Sequence, residues 1–176
     1  TALSDLEVIS SEENGKIWEI KYYLDDESGN FLEIATTRPE TILGDTAVAV
    51  NPDDDRFIKY IGKNVIVPVT GKIVPVISDD YVDMEFGTGC LKITPGHDFN
   101  DYELAKKHNL EIINIFDTSA RVKCDTKEYN NLDRFAARKK ILLELENSDQ
   151  LLKISDHKMI IPRGDRSHSI IEPLMT

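Results

Sequence analysis

Trp18-Glu19-Ile20-Lys21-Tyr22-Tyr23-Leu24, then Asp25-Asp26-Glu27-Ser28-Gly29-Asn30, then Phe31-Leu32-Glu33-Ile34-Ala35-Thr36 is the stretch that sets the fold. Trp18, Ile20, Tyr22 and Leu24 alternate with Glu19, Lys21 and Tyr23, the two-residue period of a half-buried strand. The polar run 25–30 is rich in turn residues and the apolar pattern then returns, so residues 17–36 predict a β-hairpin. Outward from it, Ala47-Val48-Ala49-Val50 predicts a short buried strand. Residues 65–69 and 73–77 predict two more around Thr70-Gly71, and Leu91 with Ile93 and the run 112–116 predict others. Pro68 and Pro75 cannot donate to a ladder, which places their strands at an edge or a barrel rim. Helices are expected over 98–107, stopped by Asn109, and over 132–145, where Leu132, Phe135, Ala136, Leu142 and Leu145 lie near one face. The pattern predicts an α+β fold: a barrel-like β core of short, mostly antiparallel strands with peripheral helices.

Composition narrows the function. The 176 residues suffice for one compact domain and are marginal for two. Hydrophobic residues make up 40% and charged residues 30%, an ordinary soluble balance. A net charge of −11 argues against a free-standing electrostatic nucleic-acid binder. It leaves room for a module that touches one nucleotide while another domain holds the rest. Cys90 and Cys124 make no disulfide framework, and a reducing cytosol fits. No apolar run approaches the ~20 residues of a membrane span, and no signal peptide is visible, so no membrane partner is expected. The chain opens at Thr1-Ala2-Leu3 without Met and stops at Pro173-Leu174-Met175-Thr176 without a tail. Both ends read as cuts through a longer polypeptide.

Two polar clusters break the apolar pattern. Thr36-Thr37-Arg38-Pro39-Glu40-Thr41 brings hydroxyls and a guanidinium to a strand end. Pro39 stops ladder pairing, and Arg38 offers a planar fork for phosphate or carboxylate. β propensity alone accounts for Thr36 and Thr37 equally well. The second cluster is Gly87-Thr88-Gly89-Cys90-Leu91-Lys92-Ile93-Thr94-Pro95-Gly96-His97-Asp98-Phe99-Asn100-Asp101. Lys92 and Thr94 share a strand face. Asp98 and Asp101 stand one turn apart, where a cap and a first-turn acid would also stand. Two carboxylates facing a lysine and hydroxyls suit a cationic, hydroxylated ligand such as an amino acid.

These motifs carry a resemblance. Residues 35–50, Ala-Thr-Thr-Arg-Pro-Glu-Thr-Ile-Leu-Gly-Asp-Thr-Ala-Val-Ala-Val, closely resemble the threonine-rich motif of the editing domain inserted in valyl-tRNA synthetases, of the class I aminoacyl-tRNA synthetase family. Residues 81–89 and 92–103 resemble its second motif, and 132–138 a third block. Residues 1–7 and 162–174 resemble the entry from, and exit to, the synthetase body. The continuation Gly44-Asp45-Thr46-Ala47-Val48-Ala49-Val50 and Glu40 favour the valyl branch over the leucyl one. Cys90 and Gly96 stand where the family usually has a small alanine.

The resemblance implies one editing domain over 1–176, with ~1–10 and ~162–176 as connections to the rest of the synthetase. It implies hydrolysis of the ester on mischarged tRNA, chiefly threonine on valine tRNA. An apolar synthetic pocket rejects an added hydroxyl poorly; the valine–threonine pair is itself the known instance of that limit, about 100-fold. Asp101 would anchor the α-ammonium. Lys92, Asp98 and Thr94 would read the side-chain hydroxyl and hold water. Thr36, Thr37, Arg38 and Thr41 would contact the terminal adenosine and the ester. Lys92, Asp98 and Asp101 are the residues assigned to the chemistry, and attack by a positioned water is implied. His97 is given a structural role. No Ser-His-Asp set and no zinc-like spacing is present, so no metal or cofactor is expected here, ATP belonging to the synthetic domain. The partners implied are the tRNA 3′ end and the synthetase body, with no separate protein partner. A non-catalytic module that docks a tRNA end or a protein is the competing reading.

Overall fold

The computed structural model describes the backbone of residues 8–164 and the side chains of residues 15–157. The expected body connections fall largely outside the described residues. Strand β1 (Val8–Tyr23) turns through 25–30 into β2 (Phe31–Thr36), the predicted hairpin, in register from Tyr23↔Phe31 to Trp18↔Thr36. The alternation reads correctly: Trp18, Ile20, Tyr22 and Leu24 are buried. Strand β7 (Leu151–Gly164) pairs antiparallel along β1 from Val8↔Gly164 to Ile20↔Leu151, completing a three-stranded sheet in the order β2-β1-β7.

The second sheet has the order β4-β5-β3-β6, from β3 (Ala47–Val50), β4 (Asn64–Ile66), β5 (Ile73–Ser78) and β6 (Cys90–Ile93). β3 and β5 run parallel and the other pairs antiparallel. All four residues of β3 are buried, because both faces of this sheet are covered. Val48 and Val50 join Ile20, Tyr22, Leu32 and Ile34 in the main core. Ala47 and Ala49 face a second cluster with Ile93 and Leu104. Leu104 belongs to α1 (Phe99–His108).

The barrel expectation is overturned. The two sheets do not close: an isolated bridge, Leu24↔Val65, links them, and β1 spends most of its length pairing with β7. The strands are not uniformly short either, β1 having 16 residues and β7 14. Pro75 lies in an inner strand, one residue ahead of the point where β5 starts pairing with β3 at Val48↔Val76, so its missing donor leaves no gap in that ladder. Pro68 falls in the turn after β4.

Other corrections are local. The run 112–116 forms no ladder, making one isolated bridge, Phe116↔Val122. Its backbone is satisfied by side chains instead: Ile115 N–H donates to His97 Nε2 (3.0 Å) and Phe116 N–H to Asn114 Oδ1 (3.1 Å). Helix α2 (Arg134–Asn147) is capped by Asp133, whose side chain accepts from the N–H groups of Phe135 and Ala136. It buries Ala137, Ile141 and Leu145, at i, i+4 and i+8, while the expected Phe135 is 54% exposed.

Candidate active site

The 3-10 turn Pro39–Gly44 follows β2 and is buried throughout. Arg38, just before it, donates from Nη1 to His97 O (3.0 Å), tying the threonine-rich motif to the second motif. Thr36 Oγ1 accepts from Arg38 N–H (3.0 Å), and Thr41 Oγ1 donates to Arg38 O (2.8 Å). These bonds satisfy the backbone groups freed where the strand ends.

Below this turn lies a buried polar network. Lys92 Nζ contacts Asp45 Oδ1 (2.6 Å), donates to Thr41 Oγ1 (2.7 Å), and donates to Thr94 Oγ1. Thr94 Oγ1 donates to Asp45 Oδ1 (2.8 Å), and Tyr22 OH to Asp45 Oδ2 (2.5 Å). An ammonium has three protons, and Lys92 points all three at protein oxygens. Asp45 neutralises it, as a buried ion pair requires. Burial pushes the Asp45 carboxyl above its ordinary value, against the pull of Lys92, Tyr22 and Thr94. Burial, reinforced by Asp45, likewise raises the Tyr22 phenol. Asp45 was missing from the expected site. Its neighbours in sequence, Gly44 and Thr46, give no signal of the partners it meets in the fold.

Asp98 and Asp101 play different parts. Asp98 is exposed and is the N-cap of α1, its Oδ1 accepting from Asp101 N–H (2.9 Å). Asp101 is buried on the helix face beneath β6 and accepts from Thr94 N–H through Oδ2 (2.9 Å). Burial first, then the neighbouring Asp98, pushes its carboxyl up to about 7, with Thr94 N–H and Lys92 pulling the other way. Strand end and helix start thus bring Lys92, Thr94, Thr41, Asp45 and Asp101 together. Thr36, Thr37 and Arg38 stand half-buried at the head of the turn, and Asp98 at the outer rim.

Two residues of the motifs serve structure. Glu40 is fully buried and points away to α2, where Arg138 grips both oxygens (Nε–Oε1 2.8 Å, Nη2–Oε2 2.9 Å) and Arg134 Nε lies 3.8 Å from Oε2. His97 is 1% exposed, accepts the Ile115 N–H and stacks edge-on to Phe116 at 5.2 Å. Gly96 is more demanding than a small-residue position: a Cβ there would lie 2.0 Å from Ile113 O. An alanine there does not fit this backbone. Cys90 is buried, which raises its thiol to about 12 and keeps it unreactive.

An open groove of about 520 Å³ lies elsewhere, beside Phe31, Glu33, Phe57 and Thr88. Its Arg56 is already held by Asp54 at 2.8 Å, and Lys92 and Asp101 do not line it. Among the described residues no cluster of three or more His, Cys, Asp or Glu is arranged for a metal. None of their helices is long and apolar enough to cross a membrane.

Residues 58–160 match the family described as the leucyl-tRNA synthetase editing domain. The whole chain aligns with valine–tRNA ligases, 49% identical over 199 residues in Acinetobacter baylyi and 55% over 177 in Pelagibacter ubique. It spans about a fifth of the length of either relative. The fold matches LeuRS in an Agrobacterium radiobacter LeuRS–tRNA–LeuAMS ternary complex (TM-score 0.61, 18% identity, 85% of this chain and 20% of that one). It also matches a LeuRS CP1 domain, GlLeuRS-CP1 (TM-score 0.60, 12% identity, 79% and 99%). With these matches added to the two motifs and their shared buried network, the chain belongs to the editing domains of the class I aminoacyl-tRNA synthetases.

Proposed function

We propose that this domain deacylates mischarged tRNA within a valine–tRNA ligase, removing chiefly threonine from valine tRNA. The observation that carries the reading is the buried Asp101 carboxylate, held by the Thr94 N–H where β6 meets α1, next to the Lys92 network that orders the Thr41 and Thr94 hydroxyls. A buried carboxyl held near neutral pH gains most from an incoming ammonium, which supports Asp101 as the anchor of the aminoacyl α-amino group. The Lys92–Asp45 pair holds the two threonine hydroxyls in place. Threonine's hydroxyl can donate to the lone pairs these oxygens keep, whereas valine's methyl buries such acceptors unpaired at a cost of about 1–3 kcal/mol.

Water adds to the ester carbonyl carbon. The carbon–oxygen bond to the ribose then breaks, and the ribose oxygen leaves with a proton. An amino ester is already activated, so positioning is the main demand on the protein. Lys92 reaches a developing oxyanion only by releasing one of its three oxygens, so its assigned part in the chemistry requires a rearrangement on binding. Thr36, Thr37 and Arg38 take the terminal adenosine, and Asp98 holds Asp101 in position.

The test is deacylation of valine tRNA charged with threonine against the same tRNA charged with valine. Threonyl ester should be cleaved at least tenfold faster, the rate equivalent of ~1.4 kcal/mol. Equal rates would remove the specificity reading, and no hydrolysis of either ester would favour a binding module.

A further inference from the structure

The charge of this chain is unevenly placed. Residues 121–140 hold seven lysines and arginines against three acids, while the rest of the chain holds 14 against 29. The basic stretch folds as one unit. Val122 N–H donates to Leu132 O (2.8 Å) and Asn131 N–H to Val122 O (2.8 Å), closing a hairpin-like loop. Lys140, one turn further along α2, reaches back to Glu128 O (2.8 Å). The unit abuts the threonine-rich turn through the Arg138–Glu40 pair.

Its cations divide into two sets. Arg138, Arg134, Arg121 and Lys140 are engaged, the first two with Glu40, Arg121 with Asn131 O (3.2 Å) and Lys140 with Glu128 O. Lys123, Lys127 and Lys139 are exposed, and none of them holds an ion pair or side-chain hydrogen bond. The acids of the stretch do not neutralise them: Asp133 caps α2, and Asp125 and Glu128 form no ion pair. On a protein of net charge −11, unpaired exposed lysines on the unit that Arg138–Glu40 ties to the threonine-rich turn call for a polyanion.

We infer that Lys123, Lys127 and Lys139 form a docking surface for the phosphate backbone of the tRNA whose 3′ end enters the site. This rests on the deacylase reading for the identity of the nucleic acid. The patch contributes position and encounter, not base identity, and its contribution must fade with salt. Each neutralised phosphate adds a slope of about −0.7 to −0.9 in log K against log[salt], so three contacts lose about 20- to 40-fold in affinity between 50 and 200 mM salt.

The experiment measures binding of uncharged valine tRNA to the 176-residue chain across that salt range. The wild type is compared with the triple variant Lys123→Gln, Lys127→Gln, Lys139→Gln and with a control of equal charge loss, Lys59→Gln, Lys63→Gln, Lys153→Gln. The patch variant should lose about 2 to 3 units of salt slope, and the control should keep most of it. An unchanged slope in the patch variant, or equal loss in both variants, overturns the inference. A parallel assay on the threonyl ester of adenosine, which has no phosphate, tests the deacylase reading by itself. Its rate should be the same in wild type and patch variant, and a fall there would mean the lysines act on the site rather than on the backbone.

Discussion

Arg138→Met should destabilise the domain far more than a helix-surface substitution normally does. Glu40 is fully buried, and the Arg138 side chain is 24% exposed, so the pair is screened little by solvent. Its two hydrogen bonds, 2.8 and 2.9 Å, are charge-assisted and parallel. Removing the guanidinium leaves a carboxylate in the core whose remaining cation is Arg134, at 3.8 Å from one oxygen. Breaking a buried pair from one side costs about 3–5 kcal/mol, and the residual Arg134 contact sets the expectation at the lower end, about 3 kcal/mol. For a domain of this size that is a fall of about 6–12 °C in melting temperature. The guanidinium also lies over the Trp18 ring at 5.6 Å, a contact methionine does not keep, so the single variant reports the ion pair and this stacking together.

The decisive measurement is the double-mutant cycle with Glu40→Met, by urea denaturation. Replacing both members of a buried pair with apolar side chains is often neutral, so the double variant should be more stable than Arg138→Met alone. The coupling should be at least about 2 kcal/mol. A single-variant cost below about 1 kcal/mol, or additivity within about 0.5 kcal/mol, would refute the claim that this pair fastens the threonine-rich turn to α2.

Two further outcomes follow from the site. Asp101 has a folded-state value of about 7 against an ordinary 3.8, so the folded state binds its proton more tightly. Its contribution to stability is therefore present in full below about pH 4 and is lost as pH rises through about 7, by up to about 1.4 kcal/mol per unit. Asp101→Asn should flatten the melting temperature between those limits, and a slope identical to wild type would contradict the burial argument. In the same window ester hydrolysis should rise with pH, because the proposed ammonium anchor is the ionised carboxylate. Gly96→Ala places a methyl 2.0 Å from Ile113 O, so the 113–115 segment must move or the variant loses about 1–3 kcal/mol. Faster exchange of the Ile115 amide, which His97 Nε2 holds at 3.0 Å, would register the movement. An unchanged melt with an unchanged amide would show that the backbone has room after all.

The sequence showed most where one face of an element is buried and one is wet. The hairpin was readable because Trp18, Ile20, Tyr22 and Leu24 alternate cleanly with polar neighbours. Strand β7 left no such signal: residues 152–154, 156 and 157 are exposed, and its ladder with β1 is made by the backbone, which every residue carries. The run 112–116 misled in the opposite way. Ile115 and Phe116 are buried, yet their N–H groups are claimed by His97 and Asn114, so apolar composition produced burial without a ladder. The barrel was inferred from counting strands. What forbids it is the length over which β1 and β7 occupy one another, and no local pattern encodes that length.

The same distinction runs through the site. Thr41, Lys92, Thr94 and Asp101 were found because polar residues at a strand end stand out against an apolar background. Asp45 was passed over because nothing beside it in sequence suggests a partner; Lys92 lies 47 positions later and Tyr22 23 positions earlier. Yet it is the residue that makes the buried lysine possible. An ammonium with no carboxylate would be neutral at this depth or would not be buried. Glu40 is the mirror case: a charged residue inside the threonine-rich motif that faces away from the Lys92 network, its two oxygens spent on Arg138. The charges of such a motif therefore have to be divided by partner, not by proximity in sequence. The partners on both sides, Asp45 for Lys92 and Arg138 for Glu40, are what turn the threonine-rich segment from an exposed loop into a fixed, buried wall.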